Sequence, residues 1–121
     1  MRSASILVAD DDADMRGWLR DALETDGYDV VEAANGKMAV ELLRRERVDL
    51  VITDLAMPEQ EGIETIRLLK EEYPKLKIIA ISGAFGGTFL EIAKLLGAGA
   101  ALLKPIQLDN LLHTVHQLLR E

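Results

Sequence analysis

Four short runs in this chain are almost purely apolar: Ile6-Leu-Val-Ala9, Leu50-Val-Ile-Thr53, Ile78-Ile-Ala-Ile81 and Ala100-Ala-Leu-Leu103. None has the polar alternation of a strand with one wet face, so each reads as a strand covered on both faces, the pattern of a parallel sheet. A fifth run, Tyr28-Asp-Val-Val-Glu-Ala33, mixes acids with β-branched residues and suits an edge strand. Between the runs the period becomes helical. Met15, Trp18, Leu19, Ala22 and Leu23 recur at i, i+3, i+4, i+7 and i+8, which places Trp18 in the core, and Gly27 stands where a helix would stop. Phe89, Ile92, Ala93 and Leu96 repeat the pattern before Gly97, as do Leu108, Leu111, Leu112, Val115 and Leu119. Met38, Leu42 and Leu43, then Ile63, Ile66 and Leu69, give weaker versions. Five strands alternating with five helices predict an α/β fold: one doubly wound parallel sheet, helices on both faces, with right-handed crossovers. At 121 residues and 49% hydrophobic, with no repeat, linker or low-complexity segment, residues 1–121 form one domain.

The formal net charge of −7 disfavours a nucleic-acid or anionic-membrane surface, because phosphates would be repelled. A cation or a basic partner suits it better. With no cysteine, disulfides and thiolate metal sites are excluded. The opening MRSASILVADDD holds an apolar run too short for a signal peptide, and no later segment is long enough to cross a bilayer. The expectation is a soluble, cytoplasmic protein.

Ligand sites in open α/β sheets lie beyond the carboxyl ends of the strands. The first strand ends in Asp10-Asp11, the third in Asp54, the fourth in Ser82 and the fifth in Lys104. In a parallel sheet these three carboxylates, one hydroxyl and one ammonium share one edge. Two carboxylates at about 4 Å repel by roughly 4 kcal/mol at an effective dielectric near 20, so either a proton stays or a cation binds. Mg²⁺ fits such a pocket: it takes one or two carboxylates plus waters and leaves sites for phosphate oxygens. Asp54 is then the candidate nucleophile, since a carboxylate forms an acyl phosphate when metal and lysine neutralise the transferring group. Lys104 would supply fixed positive charge. Ser82 would hydrogen-bond a phosphoryl oxygen, a contact present only in the modified state.

The segments ILVADDD, VITDLAMP, AISGA and LLKP resemble, in order and over essentially the whole chain, the four signatures of the response-regulator receiver domain of two-component signalling. The resemblance implies a flavodoxin-like sheet in the order 2-1-3-4-5 and a phosphorylation switch rather than a turnover enzyme. It implies that Asp54 takes a phosphoryl group from a histidine kinase or a histidine phosphotransfer protein. It also implies that Asp11 binds Mg²⁺ (or Mn²⁺) directly and Asp10 through water, with Asp54 and the backbone carbonyl of Ala56 completing the protein ligands. The fourth helix, fifth strand and fifth helix would form the output surface. In much of the family the bond corresponding to Lys104-Pro105 is cis, an isomer a tertiary amide makes accessible.

Several positions depart from the family pattern. Ser82 replaces the more frequent threonine and keeps the hydroxyl. Ala101 stands where many members carry an aromatic residue that turns on phosphorylation, so that rotation cannot report the signal here. Ile106 follows Pro105 where phenylalanine is common, and Ala56 and Ala84 are small where some members carry polar groups near the attacking water. GAFGGT, from Gly83 to Thr88, lacks the Gly-Lys-Ser/Thr ending of a phosphate loop and reads as a hinge between strand and helix. His113 and His116 read as exposed helix residues, and Arg44, Arg45 and Arg47 as a solvated helix end that suits the dipole.

Three rival readings are open to comparison. Asp10, Asp12 and Asp14 match the first ligand positions of an EF-hand loop, but Met15 takes the glycine position and Asp21 that of the bidentate glutamate. A haloacid-dehalogenase-like phosphatase would need a second acid two residues after the nucleophile, where Ala56 stands. A receiver-like interaction module acting without phosphorylation is compatible with every residue. In the stretch VADDDADM, Asp10 and Asp11 are the expected ligands, whereas Asp12 has the chemistry of an N-cap and Asp14 falls in the first helical turn. Both a stand-alone receiver and the receiver of a larger regulator or hybrid kinase fit this sequence, and the oligomeric state is not encoded in these motifs.

Overall fold

The structure is a computed structural model that describes residues 3–55, 61–83 and 87–121. Strands β1 (Ser5–Ala9), β2 (Asp29–Ala33), β3 (Leu50–Asp54), β4 (Lys77–Ser82) and β5 (Ala100–Leu103) alternate with helices α1 (Ala13–Thr25), α2 (Gly36–Arg45), α3 (Glu61–Glu72), α4 (Gly87–Leu95) and α5 (Leu108–Leu119). All strand pairs are parallel, and the order across the sheet is β2-β1-β3-β4-β5, as anticipated.

The apolar runs conceal a period of two that the sheet resolves into two cores. Ile6 and Val8 of β1, Ile52 of β3 and Ile79 and Ile81 of β4 face Leu19 and Leu23 of α1 and Leu111, Val115 and Leu118 of α5. Leu7, Val51, Ile78 and Ala80 face the other way, against Ala39 and Leu43 of α2, Ile66 and Leu69 of α3 and Ala93 of α4. Burying both faces explains why the central strands need no polar alternation.

Local chemistry sets the helix ends. Asp12 is extended (φ −86°, ψ 110°) and its side chain accepts from the N–H groups of Asp14 and Met15, satisfying two donors that the helix itself leaves unpaired. Asp14 lies in the first turn, where its charge complements the dipole. Among the described residues the carboxylates that cluster as potential metal ligands are those of Asp10, Asp11 and Asp54, without Asp12 or Asp14. Asn35 caps α2 through Met38 N–H at 2.8 Å. Gly27 and Gly97 follow α1 and α4 with φ of 97° and 114°, values that favour glycine and stop each helix where the periodicity ends.

The helical stripes are narrower than the sequence suggests. Trp18 is 39% exposed rather than core; it sits at the margin of α1's buried face and lines an open groove with Ala22, Leu108 and Leu112. Leu108 is likewise exposed, and Leu118 is buried in the α5 stripe.

Candidate functional site

In the order 2-1-3-4-5 the chain leaves β1 toward one side of the sheet and β3 toward the other. The carboxyl ends of these two neighbours therefore frame a crevice at the point where the strand order reverses. Asp10 and Asp11 follow β1 directly, and Asp54 is the last residue of β3. One carboxylate oxygen from each lies within 4.8 Å of the other two. Asp10 and Asp54 are buried and Asp11 is exposed, so the cluster opens to solvent on one side.

Backbone pairing carries each residue into place. The ladder beyond β1 continues through Asp10 N–H to the Ala33 carbonyl at 3.1 Å, and beyond β3 through Leu55 N–H to the Ile81 carbonyl at 2.8 Å. Lys104 N–H donates to the Ser82 carbonyl at 3.0 Å, which sets the lysine beside the end of β4. Its Nζ donates to Asp54 Oδ2 at 2.8 Å and stands 3.5 Å from Asp10 Oδ2. Ser82, almost fully buried, ends β4 next to β3. The Lys104–Pro105 bond is cis. Ala56 lies outside the described residues, as do Ala84, Phe85 and Gly86 of the glycine-rich segment.

Two glycines shape this edge: Gly62, which motif reading passed over, and Gly83, which it read as the start of a hinge. A Cβ at Gly62 would come within 2.7 Å of the Leu55 Cα, so only glycine lets α3 cross so close to the end of β3. A Cβ at Gly83 would meet the Lys104 side chain at 3.1 Å, so the missing methyl leaves the path along which the lysine reaches Asp54. Arg16 was also missed. It donates to the Asp10 carbonyl at 2.6 Å, a contact that depends on the turn after β1 and leaves no periodic trace.

The electrostatics are unbalanced. Burial first, and then the charge of Asp54, raise the Asp10 carboxyl above its usual range, against the lowering effects of the Asp12 N–H and Lys104. Burial on its own would lower the Lys104 ammonium, but its hydrogen bond to Asp54 and the charges of Asp54 and Asp10 outweigh this and raise it. One ammonium thus faces three carboxylates. Asp10 Oδ1 accepts from Asp12 N–H at 2.9 Å, whereas its buried Oδ2 has no hydrogen-bond donor among the described residues and faces the Lys104 ammonium at the longer distance of 3.5 Å. An all-oxygen donor set with an unsatisfied buried carboxylate oxygen fits a hard divalent cation.

Residues 6–116 match the response regulator receiver domain. The chain belongs to that family. Among relatives, the response regulator receiver protein CpdR of Brucella abortus is 39% identical over 114 residues, spanning 94% of this chain and 95% of that protein. The chemotaxis protein CheY of Bacillus subtilis is 36% identical over 115 residues, spanning 94% of this chain and 96% of that protein. A CheY-like receiver domain from Methanospirillum hungatei superposes with a TM-score of 0.92 at 26% identity, covering 98% of this chain and 95% of that one. This receiver is therefore a signalling phosphoacceptor homologue, not a turnover enzyme on an external substrate, and no described helix is long and apolar enough to cross a membrane.

Proposed function

We propose that this receiver accepts a phosphoryl group on Asp54 from a histidine kinase or a histidine phosphotransfer protein, in a reaction requiring Mg²⁺, with Asp10 and Asp11 as the further acidic ligands. The carrying observation is the convergence of those three carboxylates with the Lys104 ammonium, 2.8 Å from Asp54, at the switch point of the sheet. In the transfer, an Asp54 oxygen forms a bond to phosphorus while the bond from phosphorus to the donor imidazole nitrogen breaks. The nitrogen keeps that electron pair. Bound Mg²⁺, or Mn²⁺ in its place, would supply neutralising charge for the phosphoryl oxygens. Lys104 holds the acceptor oxygen before transfer and pairs with the phosphoryl group afterwards. Ser82, at the end of the next strand, gives that group a hydroxyl donor, and loss of the aspartyl phosphate to water resets the switch.

The modified and unmodified forms differ in what Lys104 and Ser82 bind, and this biases two conformations close in energy. Both residues sit on the β4–β5 ladder, so the bias passes to β5 and its neighbours. With Ala101 on β5, transmission proceeds without an aromatic rotor. Apolar side chains stand ready for a protein partner on that side: Leu95 on α4 is 87% exposed and Leu103 on β5 is 51% exposed. The test is incubation with Mg²⁺ and acetyl phosphate followed by intact-mass measurement. Wild type gains the mass of one phosphoryl group and Asp54→Asn does not. No adduct from acetyl phosphate or from phosphorylated histidine kinases would leave an interaction module that works without phosphorylation.

A further inference from the structure

Arg16 projects from the first turns of α1 and uses its guanidinium to join two unlike acceptors. Nη1 donates to the Asp10 carbonyl at 2.6 Å, and Nε donates to Glu32 Oε1 at 3.1 Å. Glu32 lies on the edge strand β2, opposite Val8, and its other oxygen accepts from Arg20 Nη1 at 2.6 Å. Arg20 in turn pairs with Glu24 at 3.3 Å. A planar fork with donors in fixed directions can hold a carbonyl and a carboxylate at once, which a lysine ammonium on a flexible stem does poorly. The Arg16 side chain is only 19% exposed, so its geometry is held by packing as well as by charge.

The carbonyl that Arg16 grips belongs to the peptide joining Asp10 to Asp11. Asp10 is thereby fixed at three atoms: its N–H on Ala33, its Oδ1 on Asp12 N–H and its carbonyl on Arg16. The carboxylate oxygen left over is Oδ2, the buried atom without a hydrogen-bond donor among the described residues. An arginine serving only as a surface ion pair has no need to commit a donor to this peptide. We propose that Arg16 is a positioning residue for the acidic pocket: by tying the Asp10–Asp11 peptide to Glu32 of the edge strand, it holds both carboxylates in the arrangement that binds a divalent cation. The inference rests on the Mg²⁺ reading above and adds a residue that touches neither ion nor phosphoryl group. Groups that orient metal ligands typically change affinity by about 10–100-fold when removed.

The test is Mg²⁺ affinity by calorimetry, with Mn²⁺ binding followed by its paramagnetic resonance signal, for wild type, Arg16→Ala, Arg16→Lys and Arg20→Ala. Arg20→Ala removes one partner of Glu32 and nothing from Asp10, so it controls for a purely structural role. Arg16→Ala is expected to bind Mg²⁺ about ten-fold more weakly or worse, Arg16→Lys to fall between it and wild type, and Arg20→Ala to match wild type. Wild-type affinity in Arg16→Ala, or an equal loss in Arg20→Ala, overturns the inference. Should Arg16→Ala not fold, Arg16→Lys decides, and wild-type affinity there overturns it. A wild-type protein that binds neither Mg²⁺ nor Mn²⁺ overturns the metal reading and this inference with it, a failure visible before any variant is measured.

Discussion

Two charge clusters meet at Asp10 and differ in every respect except location. On its carboxylate side, Asp10, Asp11 and Asp54 crowd around the ammonium of Lys104, and a buried oxygen lacks a hydrogen-bond donor among the described residues. On its carbonyl side, Arg16, Arg20, Glu24 and Glu32 alternate in sign, and each guanidinium reaches a carboxylate. The shifts run in opposite directions. Burial, then Asp54, raise the Asp10 carboxyl, whereas the hydrogen bond from Arg20, then that from Arg16, hold the Glu32 carboxyl below its usual range. Charge that is satisfied serves the fold, and charge left unsatisfied at a strand end is available for a ligand.

The largest effect in this comparison belongs to Lys104. Replacing it with alanine leaves the carboxylates with no cation among them from the described residues, and urea unfolding in chelator should show a loss of about 3–5 kcal/mol. A loss no greater than that of Arg20→Ala would show that the pocket is less strained than its geometry indicates. Next comes the cation itself. Mg²⁺ at roughly one hundred times its dissociation constant should stabilise wild type by about 2.7 kcal/mol, and Asp10→Asn should lose most of that gain.

Without divalent ions the order reverses. Asp10→Asn removes a buried charge and should stabilise the metal-free protein at neutral pH. Because the folded-state value for Asp10 lies above its ordinary 3.8, folded wild type binds this proton more tightly than unfolded chain. The stability associated with that proton is fully present below 3.8 and lost as pH rises through the raised value, so the advantage of Asp10→Asn should close on acidification. Stability curves of the two proteins that stay parallel between pH 3 and pH 7, roughly the carboxylate window, would contradict this.

The smallest effect lies in the network. Glu32→Gln should cost less than about 1 kcal/mol and be weakened by salt, as for other partly exposed ion pairs. Its pH dependence has the opposite sign. A lowered carboxyl contributes stability above its ordinary value of 4.5, and that contribution is lost as pH falls through the lowered one. Opposite pH slopes for Asp10→Asn and Glu32→Gln, each relative to wild type, are the sharpest form of the comparison.

Much of this organisation is legible in the sequence. Doubly covered strands announce themselves as unbroken apolar runs, and the acids after β1 and β3 are conspicuous because nothing in a packed core calls for them. The stripe on α1 was legible in phase but not in width, since periodicity cannot say where α5 stops covering it, and Trp18 falls at that margin. Contacts made only through space were not legible at all. Asp26 and His116 stand 2.6 Å apart across ninety residues, Arg16 finds Glu32 only once β2 pairs with β1, and the need for glycine at position 62 arises from the approach of α3 to β3.

The central claim is that the unsatisfied pocket exists to make Asp54 a phosphoryl acceptor. The most direct measurement is to treat the protein with acetyl phosphate and Mg²⁺, reduce it with borohydride, which converts an aspartyl phosphate to homoserine, and locate the change by fragment mass. The account predicts homoserine at position 54, dependent on Mg²⁺ and lost in Asp11→Asn. Homoserine at Asp10 or Asp11, or formation at Asp54 that proceeds equally well in chelator, would contradict it.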